Sequence, residues 1–155
     1  MWSRAGSIGK GGGQVKFSEI REEQWKDLQP YLDTCLLPIT GLTGTEPPWM
    51  TTEALEMLRD IMDLVENPYK GRLVTYPAMH YFSPPGEFAS SVNHLCRKLK
   101  DSGFRYVFLI TADSAVGIMQ FADADLFLTP DYLDKSKTEL DQAIRNAWNK
   151  GEDQM

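Results

Sequence analysis

The sequence predicts an α/β fold: a small three-layer sandwich of about four mainly parallel strands flanked by helices on both faces. Three observations carry this. Residues 71–113 read as one strand-helix-strand unit: apolar Leu73-Val74-Thr75-Tyr76, a Pro-rich loop, an amphipathic helix, Gly103, then Tyr106-Val107-Phe108-Leu109-Ile110-Thr111. The second of these strands is apolar at successive positions, the pattern of a parallel strand buried on both faces. Elsewhere along the chain, short apolar runs alternate with helical stripes, which is the signature of helices laid against a parallel sheet.

Residues 1–15 show no periodicity and contain Gly6, Gly9 and Gly11-Gly12-Gly13, so ordering them would cost backbone entropy with no apolar burial in return; a disordered tail is expected. The run from Lys10 to Gln14 also reads as a translated purine-rich ribosome-binding site, with Val15 as an alternative start. A single domain is expected over 16–151, with a short tail over 152–155. Ser18 is placed to cap a first helix running to Gln29, with Trp25, Leu28 and Leu32 on one face and Pro30 disturbing its last turn. Residues 35–40 form strand one, where Pro38 removes a ladder donor and argues for an edge or a bulge.

A Gly- and Pro-containing loop over 41–50 leads to helix two, capped by Thr51 or Thr52. Its inner stripe is Ala54, Leu58, Ile61 and Val65 with Met57 and Met62, while Glu53, Glu56, Asp60 and Asp63 form a solvated outer face. Asn67-Pro68 ends it. Helix three follows Pro84-Pro85-Gly86, carries Phe88, Val92, Leu95, Cys96 and Leu99 on one stripe, and stops at Gly103. Residues 114–122 suit a short helix and 125–129 a fourth strand, a connection barely long enough for a parallel crossover; a hairpin with 115–121 as a strand is the alternative. Ser136 and Glu139 form a capping box for a last helix with Leu140, Ala143, Ile144, Ala147 and Trp148 inward and Gly151 at its stop.

With 155 residues, 42% hydrophobic and 25% charged, the chain is long enough for one core. A net charge of −6 argues against nucleic acid, whose recognition needs a basic face. The one basic run, Arg97-Lys98-Lys100, falls on the solvated side of helix three. Cys35 and Cys96 sit in apolar patterns without metal or redox spacing and read as buried reduced thiols. No apolar run approaches the roughly 20 residues of a membrane span, and a signal-peptide pattern is absent, so a cytoplasmic protein without membrane insertion is expected.

In a parallel sheet, the loops after the strands meet at one edge, the usual binding crevice of open α/β sheets. This brings Thr40, Glu46, His80, Thr111 and Asp113 into one candidate crevice. Asp113 could serve as a base, a metal ligand or the cap of the next helix, and the cap is favoured. His80 suits a ligand or acid-base role but reads better as a loop histidine bonded locally, and Glu46, alone in a Pro-rich loop, reads as structural. His94 lies off the apolar stripe of its helix. Asp123 and Asp125 precede strand four at the opposite edge and read as turn residues. Gly41-Leu42-Thr43-Gly44 lacks the lysine and spacing of a P-loop, and no G-x-S-x-G occurs. Trp49, Met50, Tyr81 and Phe82 are apolar residues in predicted loops, a partner surface if exposed together.

The runs Tyr31-Leu32-Asp33-Thr34-Cys35-Leu36-Leu37-Pro38-Ile39, Gly71-Arg72-Leu73-Val74-Thr75-Tyr76-Pro77 and Gly103-Phe104-Arg105-Tyr106-Val107 resemble the YpiF-like family of spore-forming Gram-positive bacteria over residues 16–133. The resemblance implies a bacterial cytosolic protein and brings no activity. Residues 37–40 with Gly44-Thr45-Glu46-Pro47-Pro48, and 103–113, are also similar to creatininase-type amidohydrolases. There Glu46 matches a metal ligand, whereas Pro48 and Asp113 stand where that family has histidines, so this resemblance implies the architecture without its metal set. Residues 110–113 and 122–129 faintly resemble receiver domains, but strand one lacks their acidic pair. The expected function is therefore a non-catalytic binding or protein-interaction module with no cofactor and a protein or small-molecule partner. The alternative is a small metal-assisted hydrolase using Glu46, His80 and Asp113.

Overall fold

The structure, a computed structural model, describes residues 16–81 and 83–153. The predicted tail over 1–15, with Val15, and the surface residue Phe82 lie outside the described residues.

The chain runs through a 3-10 turn (Phe17–Glu19), α1 (Glu22–Leu28), β1 (Thr34–Ile39), α2 (Pro48–Glu66), β2 (Leu73–Thr75), α3 (Pro85–Asp101), β3 (Tyr106–Thr111), α4 (Ser114–Gly117), β4 (Leu126–Leu128), α5 (Pro130–Leu133) and α6 (Lys137–Asp153). The strands form one sheet in the order β2-β1-β3-β4, and every neighbouring pair is parallel. From β1 the chain steps outward to β2, then crosses back over β1 to β3 and β4. The winding direction reverses between β1 and β3, the topological switch point where open sheets of this kind leave a crevice.

Two apolar layers sandwich the sheet. Cys35, Leu37, Ile39, Val107 and Leu109 point to one side and meet Phe88, Val92, Cys96 and Leu99 of α3, with Trp25 of α1 at the margin. Leu36, Phe108, Ile110 and Leu128 point to the other and meet Leu58, Met62 and Val65 of α2 and Leu140, Ile144 and Trp148 of α6. Both faces of β1 and β3 are buried throughout, as their unbroken apolar runs require.

Several elements differ from the sequence-based expectation, each for a local reason. Despite Pro38, β1 is central. Its Pro38 carbonyl accepts from Met79 N, on the β2 side, and there β2 has already ended at Thr75; the missing N–H thus faces a loop and costs no ladder bond. The 114–125 connection makes a parallel crossover to β4, not a hairpin. Ser18 does not cap α1: Ile20 and Arg21 are extended, and the helix restarts at Glu22 with the Gln24 side chain accepting from Arg21 N. Leu28 is exposed.

Helix α2 begins at Pro48, whose fixed φ suits the first helical position. Thr51 and Thr52 lie inside that helix and donate their hydroxyls back to the carbonyls of Pro47 and Pro48. Met57 points outward. Ser136 does cap α6, accepting from Glu139 N at 3.2 Å. That helix continues through Gly151 to Asp153, into the predicted tail. A Cβ on Gly151 would run into the Tyr106 ring at Cε1, so the glycine is there for the close passage of α6 over that ring and not as a stop.

Candidate functional site

The carboxyl ends of β1 and β3 are stitched together at the switch point. The Thr111 hydroxyl donates to Ile39 O at 2.9 Å and accepts from Asp113 N at 3.1 Å. Asp113 Oδ1 in turn accepts from Val116 N at 3.0 Å, capping α4, a short helix that starts directly after the strand. Gly41 has a φ of +76°, and a Cβ on it would stand 2.5 Å from Asp113 Cγ. The Asp113 carboxylate therefore rests on the Gly41 backbone and closes the floor of the crevice.

Beside it, Thr40 joins β1 to the loop after β2. Its hydroxyl donates to Met79 O at 3.1 Å, accepts from Leu42 N at 3.2 Å and lies 3.2 Å from His80 Nδ1. Giving the single hydroxyl proton to Met79 O makes Nδ1–H of His80 the donor to Thr40, and the ring itself is exposed. His80 also borders a cleft of about 350 Å³ with Lys16, Phe17, Thr75, Tyr76 and Pro77.

Glu46 folds back on its own loop. Its carboxylate accepts from Thr43 N at 2.9 Å, Gly44 N at 3.0 Å and Thr43 Oγ1 at 2.9 Å, and these donors, the Thr43 amide first, hold its pKa down to about 2. Gly44, at φ +94°, lies under the Tyr81 ring, where a Cβ would meet Tyr81 Cδ1 at 3.0 Å. Tyr81 itself has a φ of +53°, in the left-handed region that side chains rarely adopt.

Thr40 and His80 are thus brought together, as are Thr111 and Asp113, while Glu46 is engaged separately by the 43–46 loop. Among the described residues no three His, Cys, Asp or Glu side chains converge to hold a metal ion. Trp49, Met50 and Tyr81 are 63%, 43% and 67% exposed. Ile118, just past α4, is 85% exposed at the same edge. Sequence reasoning missed Ile118; its signal was an apolar residue next to Gly117, outside any stripe.

Glu66 was also missed. It is buried at the end of α2, takes the Thr75 hydroxyl and pairs with Lys16 Nζ at 3.1 Å. Its helical phase was the available signal, four residues after buried Met62 and away from the solvated acidic run. At the opposite edge Asp123 pairs with Arg97, and Asp125 pairs with Lys100 and accepts from Val107 N, so two cations of the basic run tie α3 to the start of β4. His94 is exposed. Cys35 and Cys96 are free and buried. Burial pushes the Cys96 thiol up to about 11 and the Cys35 thiol further still. Among the described residues no helix is long and apolar enough to cross a membrane.

Compared with known proteins, residues 23–148 match the family model described as protein of unknown function, DUF2487. No curated protein and no solved structure matches the chain.

Proposed function

We propose that this chain, which belongs to the DUF2487 family, is a non-catalytic protein-interaction module that binds its partner at the carboxyl edge of the sheet. One observation carries the reading: at that edge the carboxylates and the threonine hydroxyls bond to the protein's own loops, while large apolar side chains stand in solvent. Glu46 satisfies Thr43 and Gly44, Asp113 caps α4, and Thr111 bridges β1 to the start of the next loop. A carboxylate with a pKa near 2 is a poor proton acceptor at neutral pH, and a capping carboxylate is already engaged. Trp49, Met50, Tyr81 and Ile118, by contrast, leave β1, β2 and β3 on loops or helix starts at this one edge, the kind of exposed apolar group that marks a protein contact. Between the ends of β1 and β3 a small molecule fits less well, because Asp113 already fills the space above Gly41.

The reading includes the bacterial, cytosolic setting that the YpiF-like resemblance implies, and it takes the likeness to creatininase-type amidohydrolases as one of architecture without metal ligands. Its test is site-specific photo-cross-linking in the native host, with a benzophenone side chain at position 49 or 81 and, as control, at the exposed Tyr31 position. The expected result is one partner, identified by mass spectrometry, captured from 49 and 81 but not from 31 and lost with Ile118→Asp. Equal capture from all three positions, or none, overturns it. So does stoichiometric metal in protein purified without chelator, which would favour a metal-assisted hydrolase using Glu46, His80 and Asp113.

A further inference from the structure

We propose that the outer flank of α2 is a docking seam for a basic amphipathic helix of another protein. Met50, Met57 and Leu64 recur at seven-residue spacing, and all three are exposed, Met57 by 58% and Leu64 by 42%. Residues seven apart drift by only about 20° per step, so the three side chains line one narrow stripe about 21 Å long. Ala54 and Ile61, half-buried, fill the gaps four residues after Met50 and Met57. This is the anchor spacing by which one helix receives another, and methionine adapts its shape to such a contact. At its far end the stripe reaches Leu64, which lines a cleft of about 400 Å³ with Pro68, Tyr69, Lys135, Lys137, Leu140 and Asp141, between α2 and α6.

Charge decides the occupant. Glu53 and Glu56 are exposed along the flank of the stripe away from the core, and beside them Asp60 pairs at the surface with Arg59, the one cation on α2, at 3.5 Å. An antiparallel pairing with a second copy would set two such acidic flanks against each other, on chains that each carry a net charge of −6. A helix with lysines or arginines beside its apolar stripe meets both the seam and its flank. The seam shares Met50 with the edge surface proposed above but stands on its own observation.

The test uses the full chain and a fluorescein-labelled synthetic 18-residue helical peptide, with leucines at heptad spacing and lysines beside them, titrated by fluorescence anisotropy. A charge-reversed twin with glutamates for lysines is the control. The expected result is saturable binding of the basic peptide only, weakened at least tenfold by Met57→Asn with Leu64→Asn at unchanged melting temperature. Glu53→Gln with Asp60→Asn lowers its salt dependence, and Tyr81→Ser, which strikes the edge surface alone, leaves it unchanged. Equal binding of the charge-reversed peptide, or binding indifferent to the Met57 and Leu64 changes, overturns the proposal. A dimer in sedimentation that those same changes dissociate would also overturn it, by assigning the seam to a second copy.

Discussion

The guanidinium of Arg72 lies 4.0 Å from the centre of the Trp148 ring while its Nε and Nη2 grip both carboxylate oxygens of Asp33, at 2.9 and 3.1 Å. Trp148 Nε1 donates to Thr34 Oγ1, which donates to Asp33 Oδ1, closing a ring of contacts across the amino ends of β1 and β2 and the last turns of α6.

Arg72→Lys keeps the charge but loses both the two-pronged grip on Asp33 and the flat stack on Trp148. The expected cost is about 1–3 kcal/mol, since these groups are half-buried and act as one network. The midpoint of urea unfolding measures it, and an unchanged midpoint would show that the stack contributes nothing.

Two glycine-to-alanine changes should separate packing from propensity. Gly151→Ala adds a methyl where Tyr106 already stands, and a loss of about 1–3 kcal/mol is expected although alanine favours the helix. Gly71→Ala meets nothing within 4 Å and should lie within about 1 kcal/mol of the parent. Thermal melts of the pair check this, and equal melts would contradict the close passage of α6 over the ring.

Glu46 predicts an acid transition of its loop. Its pKa is lowered from 4.5 to about 2 in the folded protein, so its stabilising contribution is complete above pH 4.5 and is lost as pH falls toward 2. The Thr43 and Gly44 amide resonances should shift with a midpoint near 2, and Glu46→Gln should abolish that titration. A midpoint near 4.5 would mean that the carboxylate is not held by the loop in solution.

Cys35 and Cys96 should not react with a thiol reagent at pH 8 until the protein unfolds, because both are buried and burial holds them protonated. The rate of modification should then follow the fraction unfolded across a urea series. Fast labelling in the absence of urea would place one thiol at the surface.

The candidate site was legible in part. That a cap would follow β3 could be read from Asp113 standing next to Ser114, and the structural role of Glu46 from its place in a short Gly- and Pro-bearing loop; both depend on neighbours in sequence. The pairing of Thr40 with His80 and the seat of Asp113 on Gly41 join groups from different strand ends, and no local pattern encodes such distances. The exposure of Met57 was misread for a similar reason. A helix shows the width of its apolar band in its sequence, but only the neighbours packed on it decide which flank of that band is covered.

The sequence by itself determined the α/β class, the apolar two-faced strands β1 and β3, the stripe of α3 and the capped start of α6, because periodicity and capping are local physical preferences. Tertiary structure alone decided that Pro38 sits in a central strand, that β4 is parallel, that Glu66 is a buried partner of Lys16, and that Gly151 serves contact rather than termination. Each of those depends on where a second segment ends or passes. Pro38 is tolerated because β2 is short, and Gly151 is required because Tyr106 lies beneath it.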